Sequence, residues 1–139
     1  MEIRSYRAAD EEAVIGLWEA CGLTRPWNDP RKDIARKLAE QPELFLVGTV
    51  GSELVATARA GYDGHRGWVY YLAVAPGHRR KALGRALMHE VERLLLARGC
   101  PKVNLQVRTD NAEVIEFYRR LGYSVEERAS LGRRLIPDQ

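Results

Sequence analysis

The apolar residues of the chain change their spacing several times along its length. Strand-like alternation over residues 2–7 predicts an opening strand. Apolar residues then recur every three or four positions, which predicts an amphipathic helix from Asp10 to Ala20. A second helix is predicted to begin at Asn28-Asp29-Pro30, where a capping side chain precedes a proline, and to end before Gln41-Pro42. The chain is thus expected to open with one strand and two helices.

Three strand-like runs follow these helices. Leu44 to Val50 and Glu53 to Tyr62 are separated by Gly51-Ser52, a pair typical of a tight hairpin turn. Trp68 to Val74 is a third run rich in apolar residues. Runs of this kind, joined by short connections, predict an antiparallel meander.

The second half of the chain alternates helices and strands. A long helix is predicted to begin near Ala82 and to end at Gly99, and a strand follows over residues 103–107. Another helix is predicted from near Asn111 to Gly122. A strand, a helix and a strand in succession favour a right-handed crossover between parallel strands.

The last segment is predicted to form a closing pair of strands, Tyr123 to Arg128 and Ser130 to Leu135. The predicted order is β-α-α-β-β-β-α-β-α-β-β, which describes an α/β protein with a mixed (α+β) sheet flanked by helices. The length of 139 residues matches one compact domain, so residues 1–139 are expected to form a single domain.

Composition and charge narrow the possible classes of protein. No run approaches the roughly 18 consecutive apolar residues of a membrane span, and the first residues lack the apolar core of a signal peptide. A soluble, cytoplasmic protein with no membrane partner is therefore expected. The 22 basic residues exceed the 19 acidic ones by three, which is too few to suggest nucleic-acid binding. Cys21 and Cys100 lie far apart without a histidine at metal-binding spacing, so no disulfide and no metal site is expected.

The start of the helix near Ala82 combines two features that suggest an anion site. No Ser, Thr, Asp or Asn stands where a helix cap is needed, so the first amide hydrogens lack a side-chain acceptor. Arg79, Arg80 and Lys81 crowd the same end, although the helix dipole disfavours positive charge there. Open amides and cations together describe a phosphate site. A solvated basic turn capped by water is the alternative, and the residues alone favour neither.

Two segments resemble the signature motifs of the GNAT N-acetyltransferase superfamily. Val74 to Leu87 is similar to the family's strand, Arg/Gln-x-x-Gly-x-Gly/Ala turn and helix, with Arg79 and Gly84 at the matching positions. Asn111 to Tyr123 is similar to the family's second motif, in the same order and at a similar distance. Three further segments look like the bacterial YpeA-type acetyltransferases: 26–30, 61–66 and 97–101.

The resemblance implies a cofactor site. In the family, the strand before the turn and the next parallel strand splay apart, and acetyl-CoA enters the gap like a substitute strand. The residues thereby implied to hold acetyl-CoA as co-substrate are Leu72, Ala73, Val74, Arg79, Arg80, Lys81, Ala82, Leu83, Gly84, Arg85 and Asn111. Asn111 is equally expected as a helix cap. Ala82 departs from the family's glycine, which costs about 1 to 2 kcal/mol if that position needs a positive φ and nothing if it is helical.

The resemblance also assigns roles in acyl transfer. Tyr118 resembles the family's tyrosine that protonates the departing thiolate, and a backbone amide of residues 72–74 is implied to hold the oxyanion. Tyr118 also lies on the apolar stripe of its helix, so packing is the alternative role.

The residues that face the acceptor are less well defined. The strand before the turn carries no carboxylate base, which favours acceptor amines of low pKa. Asp63 and His65 are candidates that could act through water, although loop residues of these types often only form turns. Trp27 and Asn28 lie in the loop where the family commonly builds its acceptor wall, while the alternative is that this loop packs and caps the next helix.

The sequence therefore predicts an acetyl-CoA-dependent N-acetyltransferase of the EC 2.3.1 class. It would move an acetyl group to a primary amine of a small molecule or peptide, and a homodimer is a further possibility. A non-catalytic acyl-CoA-binding or regulatory module of the same fold is the first alternative. A nucleic-acid patch at the basic turn is the second, but the interleaved aromatic residues of such patches are absent from the sequence.

Overall fold

The computed structural model describes residues 1–138, and its regular elements follow the predicted order as far as the last helix. The strands and helices are β1 (Glu2–Ser5), α1 (Glu11–Ala20), α2 (Pro30–Leu38), β2 (Phe45–Val50), β3 (Glu53–Tyr62), β4 (Gly67–Val74), α3 (Leu83–Ala97), β5 (Val103–Leu105) and α4 (Ala112–Arg120). Short 3₁₀ turns precede α1, β2 and α3.

The strands form one mixed sheet in the order β1-β2-β3-β4-β5. The first four strands are antiparallel neighbours, as expected for a meander built from short connections. Strand β5 pairs in parallel with β4, because α3 carries the chain back to the same edge of the sheet. The predicted mixed sheet, the meander and the parallel crossover are all confirmed.

Helices cover both faces of the sheet. On one face, which we call the α1/α2 face, Val14, Trp18 and Ile34 pack against Phe45 and Val47. On the other, the α3/α4 face, residues of α3 such as Leu87 and Val91 pack against β3 with Tyr118 of α4. Helices α1, α3 and α4 therefore bury the apolar stripes that their sequence spacing predicted, whereas α2 buries Ile34 but leaves Leu38 43% exposed.

The two closing strands predicted over residues 123–135 are wrong for the described residues: the chain is irregular from Leu121 onwards. This segment follows β5 through side chains, with Asn104 Nδ2 donating to Glu126 Oε1 over 2.9 Å. Tyr123 packs against Tyr118, but the later apolar residues find no core, since Val125 is 74% exposed and Leu131 is 90% exposed. Strand alternation fixes a register only where one face is buried, and neither face is buried here.

Candidate active site

A gap opens in the sheet between β4 and β5. The parallel pairing joins only Gly67, Trp68 and Val69 to residues 103–105. Strand β4 continues for five more residues to Val74, and no described strand pairs with it on that side. The carbonyl oxygen of Val74 accepts from Arg79 Nε at 3.2 Å instead of from a neighbouring strand. A slot with no described strand opposite the last five residues of β4 is the result.

A β-bulge shapes the wall of this slot. Arg59 pairs with Tyr70 and Thr57 pairs with Ala73, so Ala58 alone stands opposite both Tyr71 and Leu72. Tyr71 adopts φ +52°, in the left-handed region that a bulky residue seldom occupies. Such a conformation costs on the order of 1 to 3 kcal/mol and persists only where the surroundings hold it.

Side chains of the α1/α2 face hold the bulge in place. Trp18 Nε1 donates to Thr57 Oγ1 at 3.0 Å, and Thr57 Oγ1 donates to the carbonyl oxygen of Tyr71 at 2.8 Å. The Trp18 ring stacks on the Tyr71 ring with centroids 3.9 Å apart. On its other side Trp18 stacks on Phe45, which stacks on Tyr6. A column of four aromatic rings therefore supports the strained residue.

The basic turn lies at the end of the slot, where α3 begins. Ala82 is the N-cap residue of α3, with φ 60°, and no side chain caps the helix. Arg80 also has a positive φ, 65°, and the side chains of Arg79, Arg80, Lys81 and Arg85 are exposed. The structure thus settles the question left open for Ala82, because the left-handed conformation is the one that favours glycine.

Gly84 connects the two sequence motifs in space. A Cβ atom at this position would lie 3.1 Å from Phe117 Cζ and 3.7 Å from Val74 Cγ2. A side chain here would press on the Phe117 ring, which would have to shift by a few tenths of an ångström, while Val74 would lie at ordinary contact distance. The conformational freedom of glycine is not needed here; its lack of a side chain is.

Tyr118 has a buried ring and a free hydroxyl group. The residue is 8% exposed and its ring makes edge-to-face contacts with Phe117 and Tyr123. Within residues 1–138 its hydroxyl makes no hydrogen bond. Every fully buried side-chain polar atom in that range has a hydrogen-bond partner, so the unpaired hydroxyl oxygen of Tyr118 is not fully buried and reaches the accessible surface. Burial raises the pKa of Tyr118, so the phenol stays protonated at neutral pH.

Asn111 caps α4, since its Oδ1 accepts from the amide of Val114 at 3.3 Å. This confirms the capping role that the sequence allowed. The cap fixes the start of the helix that carries Tyr118.

A pocket of about 520 Å³ opens on the α1/α2 face beside the bulge. Its lining residues come from the α1–α2 loop, α2, β3 and β4: Leu23, Asn28, Asp33, Arg59, Tyr70 and Tyr71. We call this the acceptor-side pocket. Leu72 and Val74 pack on the α3/α4 face together with Tyr118, while Tyr71 and Ala73 pack on the α1/α2 face. The sheet therefore separates the Tyr118 ring from the acceptor-side pocket.

Asp33 is the carboxylate of this pocket. Its Oδ2 accepts from the Tyr71 hydroxyl at 2.8 Å and its Oδ1 accepts from Arg36 at 2.8 Å. Arg36 also pairs with Asp138, whose side chain is 1% exposed. Burial and the bond to Asp33 raise the pKa of Tyr71, which therefore remains a neutral donor.

The four residues proposed from sequence for the acceptor side do not converge. Asn28 lines the acceptor-side pocket, whereas Trp27 is 48% exposed and lines a neighbouring groove. Asp63 and His65 lie in the β3–β4 hairpin, before Gly67, which is about 13 Å from Tyr71 along the extended strand. Asp63 accepts there from the amides of His65 and Arg66 at 2.8 and 2.7 Å, and so forms the turn.

Sequence analysis missed the residues that build the bulge and the pocket. Asp33 lies among basic residues of an exposed helix and has the pattern of ordinary surface charge. Thr57, Arg59 and Tyr71 fall inside strands, where nothing local distinguishes them. The bulge is visible only as a shift in the pairing register of β3 and β4, which is known only after the two strands have been paired.

The sheet is split beside a bulge, and an uncapped, basic helix start lies at one end of the split. A protein built in this way can admit an extended, phosphate-bearing ligand between two strands. The model of the acetyltransferase (GNAT) family matches residues 8–123 of this chain. An acetyltransferase of Pectobacterium atrosepticum is 52% identical over 139 residues, covering 100% of this chain and 99% of the relative. The chain therefore belongs to the GNAT family and is an acetyl-CoA-dependent acetyltransferase.

Solved structures agree with this assignment. Ard1 from Thermoplasma volcanium is 30% identical with a TM-score of 0.79, over 90% of this chain and 83% of that one. AAC(6')-Iy, solved with the bisubstrate analogue CoA-S-monomethyl-acetylneamine, shares the fold at a TM-score of 0.79 and 17% identity, over 97% and 98% of the two chains. The predicted fold class, superfamily and enzyme class are confirmed.

The structure adds two negative findings for residues 1–138. No helix there is both long and apolar enough to cross a membrane. No group of three or more His, Cys, Asp or Glu side chains in that range could hold a metal ion.

Proposed function

We propose that the protein transfers an acetyl group directly from acetyl-CoA in the β4–β5 slot to a primary amine in the acceptor-side pocket. The observation that carries this proposal is that β4 runs five residues beyond its pairing with β5 and ends at an uncapped helix start. A pantetheine arm offers amide groups that can pair with a strand edge. Acetyl-CoA is thus suited to replace the missing neighbour of β4.

The pyrophosphate would bind at the turn. The free amides at the start of α3 point along the helix axis toward an anion, and Arg79, Arg80, Lys81 and Arg85 supply positive charge around it. Ala82 and Leu83 would contribute backbone, and Gly84 keeps the turn close to Val74. Asn111, at the start of α4, would contact the pantetheine.

The acetyl group would lie at the bulge. A backbone amide of residues 72–74, directed into the slot, would donate to the oxygen that becomes negative when the amine attacks the thioester carbon. A C–N bond forms in this step, and the C–S bond breaks as the tetrahedral adduct collapses. The strained Tyr71 and its aromatic support keep this amide from moving during the reaction.

Tyr118 would donate the proton that the departing sulfur needs. Its hydroxyl is free and protonated, and its ring lies on the face of the sheet opposite the acceptor-side pocket. Because burial raises the phenol's pKa, complete transfer to a thiolate of pKa about 8.5 is uphill, so Tyr118 would first stabilise the sulfur by a hydrogen bond.

Asp33 would orient the attacking amine. It is the carboxylate that lines the acceptor-side pocket, and a water molecule held by it can take the proton that the new amide nitrogen loses. In this proposal Asp33 takes the role for which Asp63 and His65 were the candidates from sequence. Asn28 would line the same pocket, with Trp27 at its outer edge.

The proposal is tested by measuring acetyl-CoA binding and then coenzyme A release against small amines, N-terminal peptides and lysine peptides. Tyr118→Phe should lower kcat by about 10²-fold or more with little change in acetyl-CoA affinity. Tyr123→Phe is the matched control, since the Tyr123 hydroxyl is occupied by Glu92 at 2.6 Å. Binding without release for every amine, or unchanged kcat in Tyr118→Phe, would contradict the proposal. The homodimer and the cytoplasmic location stay predictions.

A further inference from the structure

The acceptor-side pocket contains a cation without an anion to match it. Arg59 lines the pocket and is partly buried on β3. Its guanidinium makes no hydrogen bond and no ion pair within residues 1–138, although it can donate five. An arginine inside a protein cleft normally meets a carboxylate, a phosphate or backbone carbonyls. Arg59 meets none of them in the described chain.

Other arginines near α2 show the normal pattern. Arg31 pairs with Glu12 at 2.7 Å, Arg36 with Asp33 at 2.8 Å, and Arg98 with Glu43. The Arg31 and Arg98 pairs lie toward solvent, and the Arg36 pair reaches the pocket only through Asp33. The arginine that faces the pocket is the one left without a partner.

A second cation strengthens the positive potential beside Arg59. Lys37, on α2, is 5% exposed, and burial together with the charge of Arg59 lowers its pKa to about 8. Arg98 lowers this pKa further, while Glu43 and Glu40 raise it, and Glu43 is already paired with Arg98. Lys37 does not line the pocket, but its charge and that of Arg59 disfavour each other, and an anion bound to Arg59 would relieve that repulsion.

Asp33 gives the pocket a negative charge in addition to the positive charge of Arg59. Its carboxylate lines the same pocket and forms no ion pair with Arg59. A ligand that matches both charges places an amine toward Asp33 and an anionic group toward Arg59. A planar carboxylate matches the fork of an arginine with two parallel hydrogen bonds.

We infer that the acceptor is a small amino carboxylate, of the amino-acid class, whose carboxylate binds Arg59 while its amine faces Asp33 and the bulge. This inference rests on the proposed function and names the substrate class of the same pocket. A volume of about 520 Å³ leaves ample room for such a molecule. Acceptors rich in positive charge are disfavoured, because they would meet Arg59 and Lys37.

The first test compares matched acceptors in the wild-type enzyme. Coenzyme A release is measured for a set of α-, β- and γ-amino acids, for their carboxamides and for the corresponding amines that lack the carboxylate. Each kcat/KM is corrected for the fraction of free amine, since a carboxamide lowers the pKa of its neighbouring amine. The amino acids should be preferred by at least about tenfold, the value of one good charge-assisted contact.

The second test removes the guanidinium. Arg59→Gln should raise KM for the amino acid by about 10- to 100-fold, leave the carboxamide unchanged and preserve acetyl-CoA affinity. Arg66→Gln is the control, because Arg66 lies in the hairpin at the far end of β4 and donates to a carbonyl there. Calorimetric titration of the amino acid into the protein without acetyl-CoA gives a readout independent of turnover. Binding should be lost in Arg59→Gln and retained in Arg66→Gln.

The outcomes separate this inference from the proposed function. Equal use of the carboxamide, or a preference for the acid that survives in Arg59→Gln, overturns the inference while acetyl transfer stands. Efficient transfer only to peptides or to polyamines overturns it as well. Failure of coenzyme A release with every amine, although acetyl-CoA binds, overturns the proposed function and the inference together.

Discussion

The turn at the start of α3 and the acceptor-side pocket are built in opposite ways. The turn is a continuous segment, residues 79–85, whose useful groups are backbone amides and exposed cations. The pocket draws its residues from positions 23 to 71, and its useful groups are partly buried side chains. A site made of consecutive backbone can bind the same cofactor in many relatives. A site made of scattered side chains can change its ligand without disturbing the turn.

The bulge at Tyr71 connects these two regions. It faces the slot through backbone and the pocket through its side chain, whose hydroxyl donates to Asp33 at 2.8 Å. Perturbing each region separately therefore tests whether they are independent.

Removing the aromatic support should affect both regions. Trp18 is fully buried, so Trp18→Ala should lower the free energy of unfolding by about 3 to 5 kcal/mol, measured by urea denaturation. Trp18→Phe keeps a ring on Tyr71 but removes the donor to Thr57, and should lower kcat with a smaller loss of stability. Trp27→Ala is the control at an exposed tryptophan, with little expected loss of stability. Wild-type kcat in Trp18→Phe would show that the bulge does not need this hydrogen bond.

Changing the carboxylate should affect the pocket alone. Asp33→Asn should lower kcat/KM for the amine by about 10- to 100-fold and leave the dissociation constant of acetyl-CoA unchanged. Asp63→Asn is the matched variant at a candidate taken from the sequence, and steady-state kinetics should find it close to wild type. The reverse ranking of these two variants would return the acceptor-side role to the hairpin.

The buried lysine beside Arg59 predicts a pH dependence of stability. The pKa of Lys37 is about 8 in the folded chain and about 10.4 in an unfolded one, so between these values the unfolded state binds more protons. The free energy of unfolding should therefore rise with pH across that window, on the order of 1 to 3 kcal/mol. Lys37→Met should flatten this rise in denaturation curves measured from pH 7 to 10. If the free energy of unfolding rises equally with pH in the variant, groups other than Lys37 cause the rise.

Replacing Ala82 should affect the turn alone, and only slightly. Ala82→Gly removes the cost of a left-handed alanine but makes the unfolded chain more flexible, so stability should change by less than about 1 kcal/mol. Without the methyl group the pyrophosphate can approach the backbone more closely, and acetyl-CoA should bind a few-fold more tightly. Calorimetry measures this affinity, with Ala86→Gly inside α3 as a control. An unchanged dissociation constant would show that the methyl group does not face the phosphate.

The local pattern of residues in the sequence was enough to predict most of the fold. The nine elements from β1 to α4 occur where apolar spacing, caps and glycines predicted them, because each signal acts within a few residues. The closing strands failed because alternation over residues 123–135 has no buried face to satisfy. The basic turn was found for the same local reason, since an uncapped helix start and three cations are adjacent in sequence.

The order of the elements, the membership of the family and the turn suited to a pyrophosphate can all be read from the residues in order. The φ of Ala82, the bulge at Tyr71 and the pocket that joins Asp33 to Arg59 become visible only in the folded chain. These features depend on strand register and on helices packed across a sheet, which bring together residues far apart in the chain. Spacing along a sequence records which residues share one element, but not which residues meet when two elements pack.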